Sequence, residues 1–149
     1  MSKDPNVPII ELKDVEVVFT TRAGSILHPN KVKAVNKVNL RLMPGKTIGI
    51  VGESGCGKSI TSLAIMGLLD PKAEISGEIL FDGKNLVGMD PKEHNALRGH
   101  EIAMIYQDAL SSLNPSMLIK AQMKQLTSRG GTRSAEELLK LVGDRKSVV

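Results

Sequence analysis

The chain has 149 residues, the length of one domain, and its 41% hydrophobic and 24% charged residues are ordinary for a soluble α/β protein. The net charge of +4 comes from interspersed acidic and basic residues, and only Phe19, Phe81 and Tyr106 are aromatic, so we expect no nucleic-acid partner. A single cysteine excludes an internal disulfide, no apolar run reaches the roughly 18 residues of a membrane span, and the first residues lack the apolar segment of a signal peptide. The sequence therefore predicts a cytoplasmic chain.

Two strands are predicted ahead of the central part of the chain. Residues 1–8 form a loose lead-in, and residues 9–20 alternate in the manner of a strand whose inward face is Ile10, Leu12, Val15, Val17 and Phe19. The alternation slips near Asp14, which predicts a bulge. After a loop at 21–31, residues 32–43 resume the alternation, and Pro44 with Gly45 predicts a turn. We expect these two strands to be antiparallel.

A glycine-rich loop follows, between a predicted buried strand at 47–51 and a predicted helix at 60–69. The loop matches the pattern G-x-x-x-x-G-K-[ST] with Gly52, Glu53, Ser54, Gly55, Cys56, Gly57, Lys58 and Ser59. Its glycines allow successive backbone N–H groups to face one concavity, and the helix start adds the positive end of its dipole. This predicts a nucleotide-phosphate site in which Lys58 contacts the β- and γ-phosphates and Ser59 ligates Mg²⁺. The alternative is a glycine-rich connection that binds nothing.

The remaining elements are read from turn and capping signals. They are a hairpin at 76–86 that turns at Asp82 and Gly83, a helix at 90–98 with Asp90 as N-cap, an apolar strand at 101–106, a helix at 117–126, and a helix from Ser134 to Leu141 with a capping box to Glu137. His28, His94 and His100 lie in or beside predicted loops, so we expect all three at the surface.

Four stretches together resemble the N-terminal half of an ABC transporter ATP-binding subunit, most closely the oligopeptide and dipeptide importer branch. They are residues 34–40, the Walker A segment at 49–59, its helix at 62–68, and the Q-loop at 101–108 with Ser-Leu-Asn-Pro at 112–115. The resemblance implies a P-loop NTPase fold, with an antiparallel β-subdomain and a partial RecA-like core. It divides the chain into the lead-in, the β-subdomain and P-loop core at 9–107, and the Q-loop with the start of a helical subdomain at 108–149.

The resemblance also implies ligands and further site residues. ATP and Mg²⁺ would be held by residues 52–59 together with Ile60, and Gln107 would touch Mg²⁺ or the attacking water. Phe19 lies where the family stacks an aromatic ring on adenine, although a core phenylalanine is the alternative. Ala109 departs from the family, in which proline is common at this position. Cys56, beside Lys58 and a helix start, is expected to have a lowered thiol pKa or simply to be a small residue tolerated there.

Several parts that the family uses for hydrolysis are not among the 149 residues. They are an apolar strand ending in Asp-Glu, a Leu-Ser-Gly-Gly-Gln signature and a later switch histidine. We therefore expect a truncated domain that is inactive alone and leaves a sheet edge exposed at 47–51.

The partners implied by the resemblance are membrane permease subunits, a second ATP-binding subunit and, indirectly, an extracytoplasmic solute-binding protein, at the cytoplasmic face of the membrane. The alternatives are a non-catalytic nucleotide-binding fragment and an importer subunit for nickel or another small solute. A kinase or GTPase is disfavoured, since the chain has no Asn-Lys-x-Asp motif.

Overall fold

The computed structural model describes residues 5–21, 30–107, 113–128 and 130–143. The chain forms two compact units, Met1–Met104 and Ile105–Val149. The first unit contains β1 (Ile10–Thr21), β2 (Asn30–Leu42), α1 (Lys58–Ile65), β3 (Glu74–Phe81), β4 (Lys84–Asn85) and α2 (Pro91–Leu97), and the second contains α3 (Ile119–Ser128) and α4 (Ala135–Leu141). The start of the lead-in, His28 and Ala109 lie outside the described residues.

The first unit is built on a four-stranded antiparallel sheet in the order β2-β1-β3-β4. This arrangement confirms the two antiparallel strands predicted ahead of the glycine-rich loop. Leu12, Val15 and Val17 of β1 are fully buried at the centre of the core, whereas Ile10 and Phe19 are only partly buried. The inward face of β1 was therefore predicted correctly, and the residues at its two ends are less buried than those in its middle.

The predicted bulge in β1 is confirmed. The pairing of β1 with β2 shifts register between Leu12 and Val15, and Asp14 has a positive φ of 45°. On the neighbouring strand β3, a Cβ at Gly77 would overlap the backbone carbonyl of Asp14. A glycine at position 77 therefore lets the bulged strand lie against β3.

The predicted hairpin and its tight turn are also confirmed. Asp82 and Gly83 have φ angles of 48° and 79°, the left-handed values of a two-residue type I′ turn. The turn directs β4 back along β3, and the Leu86 N–H donates to the Ile79 carbonyl at 2.7 Å. Leu86 is thereby buried in the core.

Two predicted strands are wrong. Residues 47–51 form no strand, and Ile48, Ile50 and Val51 are 40%, 51% and 97% exposed. Residues 101–106 contain only an isolated bridge between Arg98 and Ile102. A strand exists only through hydrogen bonds to its neighbours, and the described residues offer these segments no partner strands. The β-branched residues at 47–51 are suited to a strand, but composition alone does not provide the neighbouring strands that a sheet needs.

The second unit begins at Ile105 and contains two short helices. The predicted helix at 117–126 is confirmed as α3, displaced toward the C-terminus. The capping box of α4 is confirmed, because Ser134 Oγ accepts from the Glu137 N–H at 3.2 Å and Glu137 accepts from the Ser134 N–H at 2.8 Å. Among the described residues, no helix is both long and apolar enough to cross a membrane.

Candidate functional site

The start of helix α1 has no side-chain cap. The helix begins at Lys58 immediately after the glycine-rich loop, and its N-cap residue is Gly57, which offers no side-chain acceptor. The first turn contains no acidic residue. The first N–H groups of the helix and the positive end of its dipole are therefore left for an external negative charge.

Gly57 sits where no other residue fits without strain. It is buried with φ at 90°, and a Cβ on it would lie 2.6 Å from the Ala34 carbonyl oxygen and 3.3 Å from Val35 Cγ2. Both the backbone angle and the close approach to β2 require glycine. Gly57 thus anchors the loop and the start of α1 against the sheet.

Gly52 keeps the other end of the loop open. A Cβ at Gly52 would lie 2.6 Å from Cys56 Sγ and 3.9 Å from Lys58 Nζ. The space that such an atom would fill is the interior of the loop, into which the thiol and the ammonium group point. A side chain at position 52 would displace one of these groups.

Lys58 bridges the loop through its ammonium group. Nζ donates to the carbonyl oxygens of Gly52 and Glu53, both at 2.7 Å, and to Cys56 Sγ at 3.2 Å. These three acceptors match the three hydrogens of an ammonium group. The long side chain is therefore folded over the loop, and its positive charge lies against the Gly52 and Glu53 carbonyls.

The hydroxyl of Ser59 differs from those of its neighbours in α1. Thr61 Oγ1 donates to the Gly57 carbonyl at 2.9 Å and Ser62 Oγ to the Lys58 carbonyl at 3.2 Å. Ser59 is exposed, and its hydroxyl makes no hydrogen bond within the described residues. It is thus available to a ligand, whereas Ile60 is half-buried and packs against the core.

The thiol of Cys56 lies in the same loop and is exposed. Its pKa is lowered, chiefly because Lys58 Nζ donates a hydrogen bond to Sγ and stabilises the thiolate. The lowered pKa agrees with the expectation from the sequence. It does not by itself give Cys56 a function.

The lowered pKa gives a testable pH dependence. At neutral pH we expect Cys56 to react with iodoacetamide faster than a free cysteine, because more of it is thiolate, and the rate to rise through a pKa below the ordinary thiol value. Lys58→Ala should move that midpoint to higher pH. Stopped alkylation followed by mass spectrometry measures the rates, and an unchanged midpoint in Lys58→Ala would contradict the assigned cause.

The other residues singled out in the sequence lie elsewhere. Phe19 pairs with Val32 near the end of β1. Its side chain packs against the core but is only partly buried. Gln107 is exposed and belongs to the second unit. The structure therefore brings residues 52–59 together within the first unit, and Gln107 belongs to the other unit.

One histidine prediction is wrong. His94 is only 6% exposed, whereas His100 is exposed as predicted. His94 Nε2 lies 3.1 Å from the Ile65 carbonyl at the end of α1, because α2 packs its inner face there. Arg98, which drew no attention in the sequence, reaches the same helix end. The sequence feature that could have predicted these contacts is the four-residue spacing of His94 and Arg98, which places them on one side of a helix.

The glycine-rich loop, with Lys58 and Ser59 at the start of α1, has the pattern of a P-loop nucleotide-binding protein. The profile of the family described as ABC transporter matches residues 35–149. The chain therefore belongs to the ABC transporter family. Its structure is that of part of an ABC transporter ATP-binding domain with an antiparallel sheet, as the sequence predicted.

Similar proteins include ATP-binding proteins of peptide transport. The oligopeptide transport ATP-binding protein OppD of Bacillus subtilis (strain 168) is 42% identical over 144 residues, covering 91% of this chain and 38% of the relative. The dipeptide transport ATP-binding protein DppD of Lactococcus lactis subsp. cremoris is 40% identical over 144 residues, covering 91% and 40%. OppF of Escherichia coli (strain K12), also an oligopeptide transport ATP-binding protein, is 46% identical over 114 residues, covering 74% and 33%. The chain thus spans about two fifths of these relatives or less.

Proposed function

We propose that the chain forms the phosphate-binding part of the ATP site in an ABC importer subunit for oligopeptides or dipeptides. The observation that carries the proposal is the start of α1, which has no side-chain cap and directly follows the loop that holds the ammonium group of Lys58. Backbone N–H groups and a lysine charge at one helix start suit the β- and γ-phosphates of ATP. The relatives' names supply the class of transported solute.

Mg²⁺ fits the same site through the chemistry of its donors. Magnesium prefers oxygen ligands and is commonly bound through one or two protein groups together with the phosphates. Ser59 supplies an exposed hydroxyl in the first turn of α1, and we propose it as the protein ligand. The ion would neutralise phosphate charge, while Lys58 and the residues 52–60 bind and orient the phosphates.

Two further residues complete the proposed site by resemblance to the family. We assign Gln107 the role of the Q-loop glutamine, which contacts Mg²⁺ or the attacking water. We assign Phe19 the adenine-stacking position, supported by a ring that is only partly buried at the end of β1. Residues 9–107 would form the β-subdomain and P-loop core, and residues 108–149 the Q-loop and the beginning of a helical subdomain.

The partners proposed for this chain follow from the same family. They are membrane permease subunits, a second ATP-binding subunit, and an extracytoplasmic solute-binding protein reached only through the permease. The chain would work at the cytoplasmic face of the membrane. An importer subunit for nickel or another small solute is the alternative within the family, and uptake assays with peptides and with nickel separate the two.

We further propose that the 149-residue chain binds ATP without hydrolysing it. The family's Asp-Glu pair, signature and switch histidine do not occur among these residues. Phosphate release by this chain that disappears in Lys58→Ala would overturn the proposal.

Ser59→Ala tests the magnesium ligand. We expect ATP affinity in the presence of Mg²⁺ to fall, whereas affinity measured with EDTA should change little, because only the hydroxyl-metal contact is lost. Isothermal titration with and without Mg²⁺ measures both values. The matched control is Ser62→Ala, whose hydroxyl is already bonded to the Lys58 carbonyl. Equal losses with and without Mg²⁺ in Ser59→Ala would contradict the assignment.

A further inference from the structure

Helix α1 has only two turns, and it carries the proposed phosphate-binding residues at one end. Its inner face buries Thr61 and Ala64. At its N-terminal end Gly57 lies against the Ala34 carbonyl. Because the preceding segment 47–51 forms no strand, the position of the helix depends strongly on what holds its other end.

Two sets of interactions satisfy the carbonyl groups at the C-terminal end of α1. The first is a Schellman motif, in which the Leu68 N–H donates to the Leu63 carbonyl at 2.9 Å and the Gly67 N–H to the Ala64 carbonyl at 3.1 Å. Gly67 has the left-handed φ of 61° that this motif needs. The motif leaves the carbonyls of residues 65, 66 and 67 without a helical partner.

Side chains from α2 and its C-cap reach those three carbonyls. Arg98 Nε donates to the Met66 carbonyl at 2.8 Å and Arg98 Nη2 to the Gly67 carbonyl at 3.1 Å, while His94 Nε2 lies 3.1 Å from the Ile65 carbonyl. The guanidinium charge also opposes the negative end of the helix dipole. We call His94 and Arg98 the α1 clamp.

The clamp fits α1 closely. The ring of His94 occupies the space beside Gly67, where a Cβ would overlap it. The backbone of Arg98 pairs with that of Ile102, whose side chain is buried in the core. The clamp therefore joins the end of α1 to a C-cap residue whose backbone is held against the core.

We propose that Arg98, with His94 beside it, is a positioning residue for the phosphate site. It acts by fixing the C-terminal end of α1, which lies about 10 Å along the helix from Lys58. Since two turns of helix move as a rigid rod, a shift at the clamp displaces the N–H groups and Lys58 at the other end. This inference rests on the proposed ATP site.

The test is ATP affinity of the 149-residue chain with Arg98→Gln, which removes the charge and the paired donors. We expect the dissociation constant to rise about 3- to 10-fold, and Arg98→Lys, which keeps the charge and one donor, to recover part of the loss. Lys92→Gln is the matched control, because Lys92 is an exposed cation on the same helix. Circular dichroism at the titration temperature selects the variants that keep the wild-type helix content.

A double-mutant cycle with Lys58→Ala separates positioning from general destabilisation. If Arg98 acts through the position of α1 and Lys58, Arg98→Gln should weaken affinity less in the Lys58→Ala background than in the wild-type background. Equal losses in both backgrounds, or wild-type affinity in Arg98→Gln, would overturn the inference and leave the proposed function standing. No ATP binding by the wild-type chain would overturn both. If Arg98→Gln does not fold, Arg98→Lys carries the same comparison.

Discussion

Replacing Lys58 by alanine is expected to weaken the affinity for Mg²⁺-ATP by about 10- to 100-fold. A hydrogen bond to a charged group contributes about 1.5–3 kcal/mol, which corresponds to that range of dissociation constants. In the structure, Lys58 Nζ already lies in the loop, bonded to the Gly52 and Glu53 carbonyls at 2.7 Å. Equilibrium binding of a fluorescent ATP analogue, competed with ATP, measures the change.

The control for this result is Lys72→Ala, which removes an equal charge from an exposed position in the turn before β3. We expect it to change affinity less than twofold, since a solvated charge outside the site is largely screened. Unchanged ATP affinity in Lys58→Ala, with wild-type circular dichroism, would show that the loop is not the phosphate site. In that case the glycine-rich segment would be a connection that binds nothing.

Gly57→Ala is expected to lower the free energy of unfolding by about 2–5 kcal/mol. A residue with a Cβ at a φ of 90° loses roughly 1–2 kcal/mol, and overpacking adds roughly 1–3 kcal/mol. The overpacking arises because the new Cβ would lie 2.6 Å from the Ala34 carbonyl oxygen. Urea unfolding followed by circular dichroism measures the loss. If the variant is already unfolded in buffer, the loss is at least as large as the free energy of unfolding of the wild-type chain.

Gly45→Ala separates the two causes. Gly45 also has a positive φ, 68°, but a Cβ there would meet no atom within 4 Å. We expect it to cost only the backbone strain of about 1–2 kcal/mol. If the two variants lost equal stability, the close approach of Gly57 to β2 would contribute nothing, and the loop would not be anchored there.

Local signals predicted the elements that depend on neighbouring residues. The turn at Asp82 and Gly83, the bulge near Asp14 and the capping box of Ser134 with Glu137 are all confirmed, because each is set by interactions within a few residues or by a permitted φ. The backbone of the glycine-rich loop belongs to the same class, because Gly55 and Gly57 take positive φ angles of 81° and 90°.

Two predictions that depended on contacts between residues distant in the sequence were wrong. The segment at 47–51 has the composition of a buried strand, yet Val51 is 97% exposed, because burial and pairing come from strands elsewhere. His94 shows the reverse case. It was expected at the surface because it lies in or beside a predicted loop, but α2 packs that face onto the end of α1.

The sequence by itself determined that the chain carries a glycine-rich loop of the pattern G-x-x-x-x-G-K-[ST], that two antiparallel strands precede it, and that the family is that of ABC transporter ATP-binding proteins. Only the tertiary structure decided how the helix behind the loop is held. Spacing within a segment sets its own backbone, whereas the contacts of Gly57 with Ala34 and of Arg98 with Met66 join residues more than 20 positions apart. Contacts of that separation exist only once the chain has packed, and they are what position Lys58 and Ser59.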